Sequence, residues 1–293
     1  MTPGKLEQDY EHGTRASWVG IISNILLFCV KLFAGIAGRS QAMVADAFHT
    51  LSDLLTSIAV LVGFNIASKP PDEHHPFGHG RAESIAAKIV SLILIVTGVG
   101  IAVSGVHVII DKDFHDPGWI ALIAAVFSIV IKEISFRYVI KVSREIRSTS
   151  LEADAYHHRS DALSSIAAFI GIAGAKMGYT YLDPLAAIVV AGFIIKNGAD
   201  VFHKAYDELM DAAPPDDLMR EIEAVIRSVN GVEHIDYLGV RKTGIEFFIS
   251  VTVCVDGSKT VLESHEITML VEEAVRRKLH NVKDITIHVE PCK

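Results

Sequence analysis

Along the first 205 or so positions, apolar residues come in long runs separated by short polar stretches; beyond them apolar and charged residues interleave. A helix crosses a bilayer with about 20 mostly apolar residues. Six stretches approach or exceed that length, at 16–37, 41–66, 84–110, 118–140, 153–177 and 184–202. The first has no short basic segment before it and no small-residue cleavage site after it, so it reads as a retained span and not a leader. The pattern changes after the breaker Ala212-Ala213-Pro214-Pro215-Asp216-Asp217, whose aspartates suit a helix start. There the spacing predicts a helix over 216–228, strands over 234–242 and 246–255, a helix over 261–280 and a strand over 284–289. The second strand, Phe247 to Val255, is rich in β-branched and aromatic residues. An α-β-β-α-β order with helices on one face of a small sheet is a ferredoxin-like α+β layer. The predicted organisation is a six-helix transmembrane domain over 1–206 and an αββαβ domain over 207–293.

Composition agrees with a membrane protein. Half of the 293 residues are hydrophobic and only 21% are charged, too apolar for one soluble domain and opposite to a disordered chain. A net charge of -8 without basic clustering excludes a nucleic-acid binder. Cys29, Cys254 and Cys292 form no CxxC, so neither a disulfide framework nor a thiolate zinc site is expected, and Cys254 reads as a buried free thiol. Lys31, Lys88, Lys132, Glu133 and Arg137 interrupt the apolar runs. Such residues are costly in hydrocarbon and face a bundle interior or reach for an interface. Loop charge sets the orientation: Lys5, Arg15, Lys69, Arg81, Lys141, Arg144 and Arg147 fall on one side, Arg39 and Lys112 on the other. The basic side is cytoplasmic, which puts both termini in the cytoplasm.

The sequence repeats a polar block. Residues 45–59 (ADAFHTLSDLLTSIA) and 153–167 (ADAYHHRSDALSSIA) match at ten of fifteen positions with an offset of 108. Residues three and four apart share a helix face, so His49 and Asp53 point one way with Asp46, and His157 and Asp161 one way with Asp154. If the two faces meet, two imidazoles and two carboxylates surround one point. That donor set suits a tetrahedral borderline divalent ion such as zinc. Magnesium would demand octahedral oxygen and calcium more oxygens still. The empty set is anionic and needs a cation or protons in hydrocarbon, which couples metal entry to proton departure. For either pair taken alone, an interhelical hydrogen bond is the alternative. His158 lacks a counterpart in the first copy and is placed beside the site or at its mouth.

Two further clusters are visible. Asp72-Glu73-His74-His75-Pro76-Phe77-Gly78-His79 puts a carboxylate and several imidazoles into the loop after the second span. In the last strand His288 and Glu290 alternate, so they share a sheet face.

With both polar blocks on the second and fifth of six spans, the chain resembles the cation diffusion facilitator family over essentially its whole length. The residues that carry the resemblance are His49-x-x-x-Asp53, His157-x-x-x-Asp161 and the loop HPFGHGRAES at 75–84. The resemblance implies a homodimer in the lipid bilayer, in the cell (inner) membrane, that exports divalent metal cations from the cytoplasm in exchange for protons by alternating access. It implies a transport site at His49, Asp53, His157 and Asp161, with zinc as the ion and iron(II), manganese, cobalt or cadmium as alternatives. Iron-associated members share sequence like Ser40 to Phe48, which keeps iron(II), manganese, an internal membrane or a scaffold role with a degenerate site in view. By the same resemblance Asp72, His75 and His79 match a loop metal site, and Asp236, His265, His288 and Glu290 match a cytoplasmic one. Relatives with the fullest cytoplasmic pattern have histidine where this chain has Asp236 and Thr252, so a single weaker site is expected there. Arg81 and Asp211 match an ion pair between membrane and cytoplasmic parts.

An enzyme is not expected. The nearest approach to HExxH starts at His265-Glu266 and has Met269 where the second histidine belongs, and no P-loop occurs.

Overall fold

In the computed structural model, the described backbone comprises residues 3–67, 69–146, 149–244, 246–279 and 281–292. Side chains are described within it except at 3–17, 60, 61, 64, 144–146, 149–154, 157 and 158. Six long helices come first: α1 (Pro3–Ala37), α2 (Gln41–Ala67), α3 (Ala82–Asp111), α4 (Trp119–Ile146), α5 (Thr149–Lys176) and α6 (Leu182–Leu209). They are followed by α7 (Asp216–Arg227), β1 (His234–Thr243), β2 (Glu246–Val255), α8 (Val261–Lys278) and β3 (Val282–Pro291). Among the described residues, four segments are long and apolar enough to cross a membrane: Trp18–Ala37, Ala82–Asp111, Trp119–Ser143 and Leu182–Leu209. The other two long helices, α2 and α5, are the ones that carry the repeated polar block.

Internal contacts divide the chain into two units, Met1–Ile58 with Ile89–Val201, and Ala59–Lys88 with Phe202–Lys293. The first unit is apolar outside and polar inside. Val96 is 71% exposed and Phe33 67%, while Lys31 and Asp46 are fully buried. That inversion suits a lipid solvent, which rewards buried polar contacts and tolerates exposed hydrocarbon. Small residues let the helices close up: Ala34, Ala42, Ala121, Ala124, Ala125 and Ala168 share one buried cluster with Met43 and Ile172. On α3, Gly98 and Gly105 face α6, where an added Cβ would stand 2.7 Å from Ile195 and 2.8 Å from Ile188. The start of α2 is fixed by Ser40, whose hydroxyl accepts from the Met43 amide and donates to Asp183 at the head of α6 (3.1 and 2.6 Å). Asp183 also accepts from the Gln41 amide at 2.7 Å, placing a carboxylate at a helix N-terminus.

One polar network ties α1, α2, α4 and α5 together. Lys31 Nζ lies 2.8 Å from Asp46 and donates to Thr50 (2.9 Å) and Ser165 (3.0 Å). Ser164 and Ser165 donate to the other Asp46 oxygen at 2.9 and 3.3 Å, and Ser128 of α4 meets Ser165 at 3.1 Å. The ammonium has three partners and the carboxylate three.

In the second unit β1, β2 and β3 form a sheet in that order, β1–β2 antiparallel and β2–β3 parallel, with α8 as the crossover. The core sits on one face, where Ile249, Val251 and Val253 of β2 meet Ile222 and Ile226 of α7 and Ile267, Val271 and Val275 of α8. This is the αββαβ layer that the pattern predicted. Helix α8 opens with a capping box, Thr260 and Glu263 each bonding the other's backbone amide. The expectation of a free thiol at Cys254 is corrected: the structure joins Cys254 to Cys292 as a disulfide, with Cα atoms 5.2 Å apart. The parallel register brings the residue after β3 beside the end of β2, where the Cys292 amide donates to the Val255 carbonyl at 2.8 Å, a proximity that cysteine spacing does not encode.

Two predictions follow from these contacts. Removing one partner of a buried ion pair strands the other charge, at a cost of about 3–5 kcal/mol, whereas replacing both with apolar residues is close to neutral. Lys31→Met and Asp46→Leu should each sharply lower the thermal stability of the detergent-solubilised protein, and the double variant should regain most of it. Thr260→Ala removes the α8 cap and should cost the 207–293 fragment about 1 kcal/mol in urea unfolding.

Candidate metal centre

The polar block of α2 and its copy on α5 do face each other. His49, Asp53 and Asp161 are buried, and their nearest donor atoms all lie within 4.8 Å of one another. His49 Nε2 stands 4.0 Å from Asp161 Oδ1, and His49 Nδ1 has no hydrogen-bond partner among the described residues. A tetrahedral ion with bonds near 2.0–2.2 Å sets its ligand atoms about 3.4 Å apart. The three groups would therefore close on an ion by an ångström or so, within the reach of side-chain rotation. His157 lies on α5, one turn before Asp161, but its side chain is outside the described residues, as are those of Asp154 and His158. Asp46, expected on the same face as His49, instead closes the Lys31 network.

Sequence reasoning missed the cation beside this group. Lys132 of α4 holds its ammonium 3.0 Å from Asp161 Oδ2 and 4.0 Å from Asp53 Oδ2, with the side chain almost fully buried. Sequence alone has Lys132 facing the bundle interior or reaching for an interface, and its partners are not legible there. The usable signal is general: a lysine in an apolar helix needs a carboxylate, and the repeated block supplies the nearest ones.

In the second unit, the loop residues Asp72, His75 and His79 also gather, with donor atoms within 4.8 Å. Asp72 Oδ1 accepts from the backbone amides of His74 and His75 (2.9 and 2.7 Å) and lies 3.1 Å from His75 Nδ1. Asp72 Oδ2 is 3.4 Å from His79 Nε2, and the two imidazole rings stand 4.4 Å apart. The amide of His75 above all, with a smaller contribution from its ring, holds the Asp72 carboxyl below the usual carboxylate range. The group is open to solvent on the Asp72 and His75 side and half-buried at His79.

The C-terminal set is not gathered within one chain. His288 Nε2 and Glu290 Oε1 lie 3.5 Å apart and Asp236 is 3.7 Å from His234, but among the described residues no metal-sized group joins them to His265. Strand alternation explains the separation. His288 and Glu290 sit on the open face of the sheet, while α8, which carries His265, covers the other. Asp236 also falls in the bulge between Ile235 and Tyr237, out of step with the ladder. Arg81 and Asp211 do meet, Nη2 to Oδ1 at 2.6 Å, and Arg241 of β1 adds a second contact to Asp211 Oδ2 at 3.2 Å.

The chain is similar in sequence to known proteins along most of its length. Residues 17–210 match the cation efflux transmembrane domain, and residues 214–292 match the cation efflux protein cytoplasmic domain. The chain is 35% identical over 284 residues to the manganese efflux system protein MneP of Bacillus subtilis, covering 94% of this chain and 95% of that one. It is 31% identical over 285 residues to the manganese efflux system protein MneS of the same organism (97% and 98%). It is 34% identical over 275 residues to the magnetosome protein MamM of Magnetospirillum gryphiswaldense (93% and 86%). The chain is therefore a membrane protein of the cation diffusion facilitator family, a divalent-metal efflux transporter and not an enzyme.

Proposed function

We propose that the chain is a homodimeric antiporter that exports a divalent transition metal from the cytoplasm in exchange for protons. Its domains are the transmembrane region 1–206 and the cytoplasmic region 207–293, with both termini inside and the cell membrane as its location. The observation that carries this reading is the buried convergence of His49, Asp53 and Asp161 from two helices related by sequence repeat. His157 completes the set as the fourth donor. Two buried carboxylates carry more negative charge than the single Lys132 ammonium offsets, so a departing metal is replaced by protons as well. Alternating exposure of the site to the two sides then exchanges one for the other. The loop residues Asp72, His75 and His79 form a second, solvent-open metal site that gathers ions on the cytoplasmic side. The match to the cytoplasmic domain of efflux proteins supports dimerisation through residues 214–292. The Arg81–Asp211 pair anchors the loop before α3 to the end of α6.

The donor set favours zinc, because two imidazoles with two carboxylates suit a tetrahedral borderline ion. Manganese is the second reading, favoured by the names of two relatives at 35% and 31% identity. A buried site holding two carboxylates can also serve that harder ion if water completes its shell.

The test is metal-resolved uptake into proteoliposomes with an imposed pH gradient. Zinc flux that rises with the gradient and exceeds manganese flux is the expected outcome; the reverse order selects manganese, and flux indifferent to the gradient rejects proton exchange. Asp53→Ala or Asp161→Ala should abolish flux of either ion, since each removes one of two anionic ligands; Asp161→Ala, which also strands the buried Lys132, should lower thermal stability as well. His75→Ala with His79→Ala should raise the metal concentration for half-maximal flux and leave its maximum unchanged.

A further inference from the structure

Lys132 takes no part in the donor set, yet its charge lies within 4.0 Å of both carboxylates of that set. It stands on α4, which supplies no proposed metal ligand, and its ammonium lies 3.0 Å from Asp161 Oδ2 and 4.0 Å from Asp53 Oδ2. We propose that Lys132 is a tethered counter-cation: it occupies the two carboxylates when no metal is bound, is pushed aside by the incoming ion, and returns to help expel it. The proposal rests on the reading of Asp53 and Asp161 as transport ligands.

Three observations carry it. The first is charge: two carboxylates this close in a buried site repel strongly unless a cation stands with them. The second is the contrast between the two buried lysines of the bundle. Lys31 is saturated, with Asp46, Thr50 and Ser165 all within 3.0 Å. The Lys132 ammonium has one hydrogen bond and one contact at the outer limit of an ion pair among the described residues. Among the described residues, one lysine is locked and the other is held by the carboxylates that the metal would claim. The third is its position. A metal bonded at about 2.0–2.2 Å to both carboxylates would sit close to the present ammonium position, and the like charges would repel.

The functional consequence is a trade. A charge tethered beside the ligands competes at high effective concentration, so it weakens metal binding and speeds release. Lys132 is thus a positioning and affinity-setting residue, with no bond to the ion.

The measurement is flux against metal concentration in proteoliposomes, with zinc alone and manganese alone, for the wild type and for Lys132→Gln, Lys132→Met and Lys132→Arg. The neutral variants should lower KM by roughly tenfold, a minor part of what one unit charge exerts at such distances, and lower kcat as release slows. Lys132→Arg should raise KM, because its planar fork grips a carboxylate more firmly. An unchanged or raised KM in Lys132→Gln would overturn the proposal, as would wild-type KM in Lys132→Arg when neither neutral variant folds. Raised KM in a folded Lys132→Arg supports it even then. Asp161→Ala measured in parallel separates the two readings: undiminished flux there would reject the transport site itself, whereas lost flux beside an unchanged Lys132→Gln KM would reject only the role of Lys132.

Discussion

Charge neutralisation inside an apolar helix bundle is the constraint on which the rest depends. Asp46, Asp53 and Asp161 are buried where water cannot screen them, and two lysines, also buried, stand against them. An ion removed from water without a partner costs several kcal/mol, so each charge commits its helix to a neighbour. The cations come from α1 and α4, the carboxylates from α2 and α5. This division fixes which four helices surround the site before any packing detail is considered, and the alanine-rich contacts among them follow because charges at bonding distance require close backbones.

The two ion pairs are built differently, and the difference separates stability from function. Around Lys31 and Asp46 every short contact is met by a hydroxyl or an opposite charge, which makes a rigid brace. Around Lys132 the contacts are fewer and the neighbours include an imidazole capable of binding metal. A transporter needs both: a frame that keeps two helices in register, and a charge balance that can be satisfied in more than one way. In the proposed cycle metal, proton and ammonium are three cations exchanging places at one set of carboxylates, and each is admitted because another leaves.

The second unit answers to a different solvent. Its core is an ordinary apolar layer between one face of a three-stranded sheet and two helices. Its candidate metal ligands lie in the loop before α3, on the exposed side of α8 and on the sheet, where water can hydrate them. Asp72, His75 and His79 gather because the backbone turns back on itself and two amides hold the carboxylate in place. Within one chain His265 does not join His288 and Glu290, because β3 turns that pair to the open face of the sheet while α8 covers the other.

Periodicity made the six long helices and the αββαβ order legible from sequence, because apolar length and alternation are local properties. The repeated block made His49, Asp53 and Asp161 legible as well: a helix fixes which residues share a face, and two equal blocks imply two faces that meet. Partner choice was not legible. Asp46 shares the helix face of His49 and Asp53 in the repeat, and only the packing of α1 sets it against Lys31. Lys132 reads as one polar interruption among several until the approach of α4 to α5 sets it beside Asp161. The joining of Cys254 to Cys292 depends likewise on the parallel register of β2 and β3. A sequence sets the face on which a charge must lie; which opposite charge it meets is decided by how helices and strands far apart in the chain pack.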